Sequence, residues 1–574
     1  MKRLFGRASG RGGVRGILTT VAATVALVAL TACGSLPTSG PVNAGKPIPD
    51  TDSNGSVVFL PDGPSKDATP QQIVEGFIAA GSGPSDNWGT AREFLAPEVK
   101  STWNPRAGVT VYRPGERTLR QVAEGEYTLS VTPAATVDAT GELTVSGDSG
   151  DISLSFTLAQ QQDGQWRITQ APDGIVLDRS RFEAVYASYS LQFFDPTWTY
   201  LVPDQRWFPT QYAATSIAEA LVDGGPSAWL EGSVSTAFVD GARLAQVAVP
   251  VRSNVASVSL QPGARSLGRD VLDRMQTQLQ TSLAPVADQV DMLVDEQPLT
   301  ASAVSVRSTR IDSRPLVRTA EAFGFASGAS GSSIEEIPGL SDALLPISAL
   351  DIEVNADRTE AAVRDTAGAV SMVGSDGAVT RLDTRPALIA PSIDPHGYVW
   401  SVPENAPGAV LAFGTDGTKA DVKDAWPAAA QITAQRVSRD GTRVAAVVRD
   451  GERSVLWVAG ILRDRDGAPT GLGAIRVLGV LPGPATALTW IDGSTLAAVT
   501  VDQGDQYLYT QEVGGFGATQ RTPDAATTVA GGVQSGGLRL RDANGQLYAQ
   551  QGSTNWQNIA AGIVVLAIQQ GSPR

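Results

Sequence analysis

The apolar positions of this chain fall into four successive patterns, and the first is a short unbroken run near the start. Residues 17–30 are almost entirely Val, Ala, Leu, Ile and Thr, and five basic residues without an acid precede them. A run of this length behind a basic segment is typical of a secretory signal peptide, whereas a spanning helix needs about 20 apolar residues. We therefore predict a signal peptide over residues 1–32.

The second pattern, over residues 63–190, begins with a helical period and changes to a strand period. A predicted helix over 69–82 places four apolar residues on one face: Ile73, Val74, Phe77 and Ile78. A second short helix is predicted to end before Pro105, and alternating strands are predicted over 126–145 and 150–169. Helices followed by a curved antiparallel sheet resemble the cone-shaped nuclear-transport-factor-2-like fold, so we expect an α+β domain of this kind.

The third pattern, over residues 191–310, mixes helices and strands. Helices are predicted over 212–225, closed by two glycines, and over 265–286, and strands over 234–250, 254–261 and 290–299. This order resembles the GerMN domain, an α+β module of bacterial envelope proteins. The resemblance rests on Tyr200-Leu201-Val202-Pro203, the helix ending LVDGGPS, the turn DGARLAQV and the last strand before Gln297-Pro298.

The fourth pattern, over residues 337–574, is a series of short strands separated by turns. Segments beginning near 350, 388, 431 and 485 share a plan of strand, Asp-Gly-type turn, strand, turn and strand, with a period of about 40 to 50 residues. This pattern predicts a β-propeller of five or six blades, the alternative being a β-sandwich. Gly441 and Gly493 are predicted to adopt positive φ in hairpin turns, and residues 311–336 are predicted to be a linker.

The only cysteine of the 574 residues stands directly behind the apolar run. The sequence Leu30-Thr31-Ala32-Cys33 resembles the bacterial lipobox, at which the thiol receives a diacylglyceryl group and the chain is cut before the cysteine. The alternatives are a chance cysteine in an ordinary signal peptide and an uncleaved anchor. Residues 33–62 are rich in Gly, Pro and Ser, which indicates a flexible tether between a lipid anchor at Cys33 and the folded body.

The charge balance narrows the classes of partner. The chain has 44 Lys and Arg against 59 Asp and Glu, a net charge of −15, and loss of the five basic residues of the signal peptide makes it −20. A body this acidic has no electrostatic basis for binding nucleic acid or an anionic membrane surface, so membrane attachment depends on the lipid. No second cysteine is present to form an intramolecular disulfide.

Candidate catalytic residues are scarce. His396 is the only histidine, it lies in a predicted turn, and no G-x-S-x-G motif accompanies it. Zinc sites need several His or Cys ligands, and the partial matches to a phosphate loop (40–47) and a calcium loop (50–61) lack essential residues. We therefore predict no catalytic residues, no metal and no cofactor beyond the lipid on Cys33. A wall-glycan hydrolase stays open, because the spatial pairing of carboxylates cannot be seen in a sequence.

The four patterns in this order resemble one family, the actinobacterial lipoprotein LpqB. The resemblance covers essentially the whole chain: lipobox, N-terminal α+β domain, GerMN domain and propeller. It implies a non-enzymatic lipoprotein on the extracytoplasmic face of the cell membrane, accessory to the MtrA–MtrB two-component system. The implied partner is the extracytoplasmic domain of an MtrB-like sensor histidine kinase, and the implied role is in cell-wall homeostasis and division. An envelope solute- or glycan-binding lipoprotein is the alternative function.

The anchor assignment predicts the effect of one substitution. Cys33→Ser should abolish lipid attachment and leave the precursor uncut at this site, because a hydroxyl oxygen cannot form the thioether. Metabolic labelling with a fatty acid measures the outcome, and label that persists on the substituted chain would refute the assignment.

Overall fold

A computed structural model describes residues 61–147, 150–327, 333–532, 537–552 and 554–573.

The N-terminal domain begins with three short helices. The helices are α1 (Pro70–Ala80), α2 (Ser85–Arg92) and α3 (Pro97–Lys100). Thr69 caps α1, since its hydroxyl accepts from the Gln72 backbone while the Gln72 side chain accepts from the Thr69 backbone. The predicted apolar face of α1 is buried, so the prediction of this helix is confirmed.

A six-stranded sheet packs against these helices. Its strands are β1 (Gly108–Ala123), β2 (Glu126–Asp138), β3 (Leu143–Val145), β4 (Ile152–Gln160), β5 (Trp166–Gln170) and β6 (Ile175–Asp178). They lie in the order β5-β4-β2-β1-β6, with β3 also paired to β2, and the pair β1–β6 is parallel. The Phe77 ring of α1 lies 5.1 Å from that of Trp103 and 6.0 Å from that of Phe156. The helix-then-sheet order is as predicted, although β1 is missed because its second half is exposed and does not alternate.

The central domain is built on a hairpin and a small mixed sheet. Helix α4 (Arg179–Val185) precedes the hairpin and packs on β1 and β6 of the N-terminal domain. The elements of the central domain are β7 (Tyr186–Phe194), β8 (Leu201–Pro209), α5 (Ala213–Glu219), β9 (Val251–Arg252), β10 (Val255–Ser259), α6 (Arg269–Leu283), β11 (Gln289–Val294) and β12 (Gln297–Pro298). β7 and β8 pair with each other, and the second sheet has the order β12-β11-β10-β9 with β10 and β11 parallel. The buried face of α6 packs in one core with β7 and β11.

One strand prediction in this domain is wrong. Residues 234–250 form no regular strand and are held by two isolated bridges, Phe194 with Ser235 and Leu244 with Leu260. The apolar residues of this segment enter the core from irregular backbone, so their alternation reflects burial and not pairing. The predicted end of the preceding helix is confirmed, because α5 continues as a π-helical turn to Gly224 and Gly225 follows at φ +79°.

The C-terminal domain is a β-propeller, as predicted. Its elements are β13 (Leu316–Arg318), β14 (Phe323–Ser327), β15 (Ser333–Glu336), α7 (Leu340–Leu344), β16 (Ala349–Val354), β17 (Glu360–Asp365), β18 (Val370–Gly374), β19 (Val379–Asp383), β20 (Ser392–Ile393), β21 (Val399–Ser401), β22 (Leu411–Phe413), β23 (Lys419–Asp421), β24 (Gln431–Val437), β25 (Arg443–Asp450), β26 (Arg453–Arg463), β27 (Pro469–Leu472), β28 (Arg476–Val480), β29 (Ala485–Trp490), β30 (Thr495–Asp502), β31 (Asp505–Glu512), β32 (Gly517–Arg521), β33 (Ala526–Ala530), β34 (Arg539–Asp542), β35 (Leu547–Gln551), β36 (Asn555–Ala560) and β37 (Val565–Gln569).

These strands form six blades within the described residues. Five blades follow the chain: β16–β19, β20–β23, β24–β28, β29–β32 and β33–β36. In the sixth, the last strand β37 pairs with β13, and β14 and β15 complete the sheet. β37 also lies parallel to β16, so it closes the ring between the first and last parts of the propeller.

The prediction of a linker over 311–336 is therefore wrong. β13, β14 and β15 lie in this segment, and Val317 of β13 faces Leu566 of β37 in the ladder. Phe323 and Phe325 of β14 are buried in the blade. The pairing of β13 with β37 joins two ends of the domain that are far apart in sequence. The hydrophobic pattern within a short window therefore cannot predict it.

The two glycines predicted to need positive φ behave differently. Gly441 has φ +74°, as predicted, and a Cβ there would lie 2.7 Å from Pro395 Cγ. Gly493 is not among the residues with positive φ, so that prediction is wrong. The Asp492 carboxylate accepts from the backbone of Ser494 and Thr495, which builds this turn without a left-handed residue.

Gly441→Val should lower the free energy of unfolding by about 1–3 kcal/mol, because a β-branched residue is strained at positive φ. Gly408→Val, at an exposed glycine of the same propeller, is the matched control and should cost less, since its φ is not left-handed and an added Cβ would make only an ordinary contact, 3.6 Å from the Ala425 carbonyl oxygen. Thermal or denaturant unfolding of the two variants beside the wild type measures the difference. Equal stability of the Gly441→Val variant and the wild type would contradict the assigned turn.

Candidate functional site

The lipid-attachment residues predicted from the sequence, Leu30, Thr31, Ala32 and Cys33, lie outside the described residues. Among the residues that are described, no helix is both long and apolar enough to cross a bilayer. The structural candidates for function are therefore the surfaces and cavities of the folded body, and above all the place where its three domains meet.

One propeller turn, residues 512–516, inserts between the other two domains. The Trp207 indole on β8 donates its N–H to the Gly514 carbonyl at 2.8 Å, and the Trp207 backbone N–H bonds Gly141 of the N-terminal domain. The Phe516 ring lies 5.8 Å from that of Trp207 and 6.3 Å from that of Phe182, and the Arg179 guanidinium covers it at 4.2 Å. Trp207 thus contacts all three domains, and we call this contact the domain junction.

A buried group of charges lies beside the domain junction. The Arg206 guanidinium is 2.9 Å from Asp204 and donates to the Thr140 carbonyl at 2.9 Å. Glu142 lies 3.8 Å from Arg206 and 3.3 Å from Arg476 of the propeller. Burial lowers the pKa of Arg476, and Glu142 opposes that shift. Burying a charge costs free energy unless an opposite charge pairs with it. The network therefore favours the one arrangement of the three domain surfaces in which these charges are paired.

A cleft of about 800 Å³ opens between the N-terminal and central domains next to these charges. One wall carries Asn104, Arg106, Asp138, Thr140 and Glu142; the other carries Tyr212, Ser216, Glu219 and Asp223; aromatic side chains of Trp88, Tyr186, Trp207 and Phe208 form its apolar part. Burial raises the pKa of Tyr186 despite the nearby Arg106, so its phenol stays neutral at physiological pH. A volume of this size between two domains is typical of sites for small ligands.

His396 lies in a hydrogen-bonded turn of the propeller. Its backbone N–H donates to Asp394, whose carboxylate also accepts from Trp400 and from Arg463. Burial and the neighbouring Arg463 lower the pKa of His396, while Asp394, Asp195 and Asp440 act against that shift. The imidazole therefore stays neutral near pH 7 and packs near the turn that contains Gly441.

The structure brings together residues that sequence reasoning did not select. Within the described part of the chain, no group of three or more His, Cys, Asp or Glu side chains is placed to hold a metal ion. The residues at the domain junction come from segments about 300 positions apart, for example Gln205 and Glu512, whose side chains bond at 2.7 Å. The sequence offers one local signal, the polar run Asp204-Gln205-Arg206 before Trp207, and the structure buries all four residues in β8.

Three protein-family models match the chain in the order of its domains. The N-terminal domain of lipoprotein LpqB matches residues 63–183, the Germane domain, described as sporulation and spore germination, matches 190–300, and the lipoprotein LpqB β-propeller domain matches 326–565. The last match begins within the segment that was predicted to be a linker.

Curated relatives match over most of their length. Lipoprotein LpqB of Bifidobacterium longum is 28% identical over 92% of this chain and 94% of the relative, that of Rhodococcus opacus is 28% identical over 83% of each, and that of Streptomyces coelicolor is 26% identical over 92% of each. These relatives bear the name of a lipoprotein and not of an enzyme.

Some solved structures are similar to part of this chain. A nidogen/laminin complex is 11% identical with a TM-score of 0.28 and covers 38% of this chain and 86% of its own. The β-propeller domain of Cps50 (Swd1) from Myceliophteria thermophila is 10% identical with a TM-score of 0.25 and covers 33% of this chain and 63% of its own.

From the three domain matches and the curated relatives together, the chain belongs to the lipoprotein LpqB family and is a membrane-anchored lipoprotein.

Proposed function

We propose that this protein is an accessory component of a two-component signalling system, held at the extracytoplasmic face of the cell membrane. Residues 1–32 are the signal peptide, and Cys33 carries a diacylglyceryl group and an N-acyl chain such as palmitate. Residues 33–62 tether the folded body, which contacts the extracytoplasmic domain of an MtrB-like sensor histidine kinase. This contact modulates signalling in cell-wall homeostasis and division. Membership of the LpqB family supports the proposal.

The observation that carries the proposal is the domain junction. Trp207 and Phe516 bury aromatic surface between three domains, and Trp229 and Leu230 of the central domain belong to a core of the propeller. Domains of one chain move relative to each other unless their interface is large and apolar. A body fixed in this way offers a partner one composite surface, which is what an accessory protein that acts by binding requires.

The charge of the chain indicates the chemistry of that partner. The net charge of −15 becomes −20 once the signal peptide is removed. A partner surface rich in Lys and Arg is the electrostatic complement, and charge complementarity accelerates association and excludes wrong partners. Long-range attraction of this kind weakens as salt screens it.

A second candidate function is the binding of an envelope solute or glycan, and the cleft of about 800 Å³ favours it. A wall-glycan hydrolase is the enzymatic version of this candidate and would need two unengaged carboxylates across the cleft. Glu142 is a poor choice for either role, since it is held between Arg206 and Arg476.

Capture of a purified kinase domain tests the proposal. The full-length chain in detergent should retain the extracytoplasmic domain of an MtrB-like kinase, and the retained amount should fall as the salt concentration rises. The His396→Ala variant should capture as much as the wild type, because His396 serves only the fold. In a deletion strain, His396→Ala should restore normal division, whereas Cys33→Ser should not.

Two results would overturn the proposal. The first is failure of the folded wild-type chain to capture the kinase domain at low salt. The second is failure of the folded, membrane-bound His396→Ala variant to complement, which would point to chemistry or to a ligand-dependent site at His396.

A further inference from the structure

Among the described residues, the central domain covers one face of the propeller at its central channel and leaves the opposite face free. The turn after β29 touches the central domain, since a Cβ on Gly493 would lie 3.3 Å from Pro203 Cγ, and Arg443 at the start of β25 donates to the Pro203 carbonyl. A cavity of about 360 Å³ lies at the opposite ends of the innermost strands, where β24, β29 and β33 begin. We call this cavity the free mouth.

Four blades carry the same irregularity at the free mouth. The innermost strands β16, β24, β29 and β33 each contain a β-bulge near their first residue. The extra residues are Leu350, Thr433, Thr486 and Thr527, and the three threonines line the cavity. β-bulges re-aim side chains and are frequent beside functional sites. Their recurrence at one level of the ring places three threonine side chains around a common space, although the Thr527 hydroxyl is already bonded to Arg541 of β34.

The ionic groups of the free mouth are already paired. Arg364 binds Asp351 at 2.7 Å and donates to the Leu388 carbonyl at 2.7 Å. Arg436 lies 3.4 Å from Glu353 and donates to the carbonyls of Ala390, Pro391 and Gln435. Both guanidinium groups lie beside a carboxylate, which an anionic ligand would have to displace, although Arg436 Nε and Glu353 Oε2 form an ion pair without a hydrogen bond.

Apart from Arg436 Nε, the polar groups that line the free mouth include two without a hydrogen-bond or ion-pair partner among the described residues. The Thr433 hydroxyl is buried with no hydrogen-bond partner, although buried polar atoms are nearly always bonded. The Glu404 carboxylate also lines the cavity and takes part in none of the ion pairs found between described residues. A single carboxylate does not satisfy a metal ion, which takes six or more oxygen ligands when it is calcium. Hydroxyl groups of a ligand can donate to the Glu404 carboxylate, and they can both donate to and accept from the threonine hydroxyls.

We propose that the free mouth binds a small, uncharged, hydroxyl-rich ligand, a saccharide in chemical class. The cavity volume lies within the range of about 300–1,000 Å³ that small-ligand sites occupy. The hydroxyls of Thr433 and Thr486 and the Glu404 carboxylate bond the ligand, while Leu388, Leu488 and Ile568 contact its apolar face. This site lies on the propeller and is independent of the kinase contact.

Ligand-observed NMR tests this proposal on the full-length chain in a detergent without sugar groups. The probes are glucose, N-acetylglucosamine, trehalose and maltose, with inorganic phosphate and trilysine as charged counterparts. At least one sugar should show saturation transfer, and the charged probes should not. Thr433→Val keeps the shape of the side chain and should weaken that sugar's affinity about fivefold, the effect of one hydrogen bond. Thr380→Val, at an exposed position of β19, is the control and should leave the affinity unchanged.

Three outcomes would overturn the proposal. No transfer to any of the four sugars would exclude a saccharide site. Unchanged sugar affinity in a folded double variant, Thr433→Val with Thr486→Val, would place the binding elsewhere. Tighter binding of phosphate or trilysine than of every sugar would show that the ligand is charged.

Discussion

The arrangement of the three folded domains depends on one contact, the insertion of the 512–516 turn beside Trp207. The indole N–H bonds the Gly514 carbonyl, and the Phe516 ring fills the space between Trp207 and Phe182. Aromatic rings bury large areas and prefer tilted or edge-on contacts, so they hold both the distance and the angle between the surfaces that they join. The cleft, the covered face of the propeller and the orientation of its free mouth all follow from this contact.

The charges next to the domain junction give it specificity. Arg206 and Arg476 share Glu142, and Asp204 also accepts from the Ser227 backbone and hydroxyl. A buried ion pair adds little net stability, because desolvation offsets most of the attraction, yet removal of one partner leaves a costly unpaired charge. The network therefore favours one register of the three domains over others that would bury equal apolar area.

The sequence could predict what local periodicity controls. Helix α1, strands β2 and β4 and the repeated propeller turns agree with the sequence predictions, since each follows from spacing and turn residues within a short window. The pairing of β13 with β37, the six-bladed closure and the cleft depend on contacts between distant segments, and no local pattern encodes them. Gly441 and Gly493 show the same limit on a smaller scale, because both follow aspartate but only one turn needs a left-handed residue.

Calorimetric unfolding of the full-length chain, with and without Phe516→Ala, tests most directly whether the domain junction unites the three domains. Val379→Ala, at an exposed valine of β19 in the same propeller, is the control. The wild type and the control should unfold in one cooperative transition, because each domain is stabilised by its neighbours. The Phe516→Ala variant should separate into two or more transitions with the first at lower temperature. Separate transitions in the wild type, or an unchanged single transition in Phe516→Ala, would contradict the account.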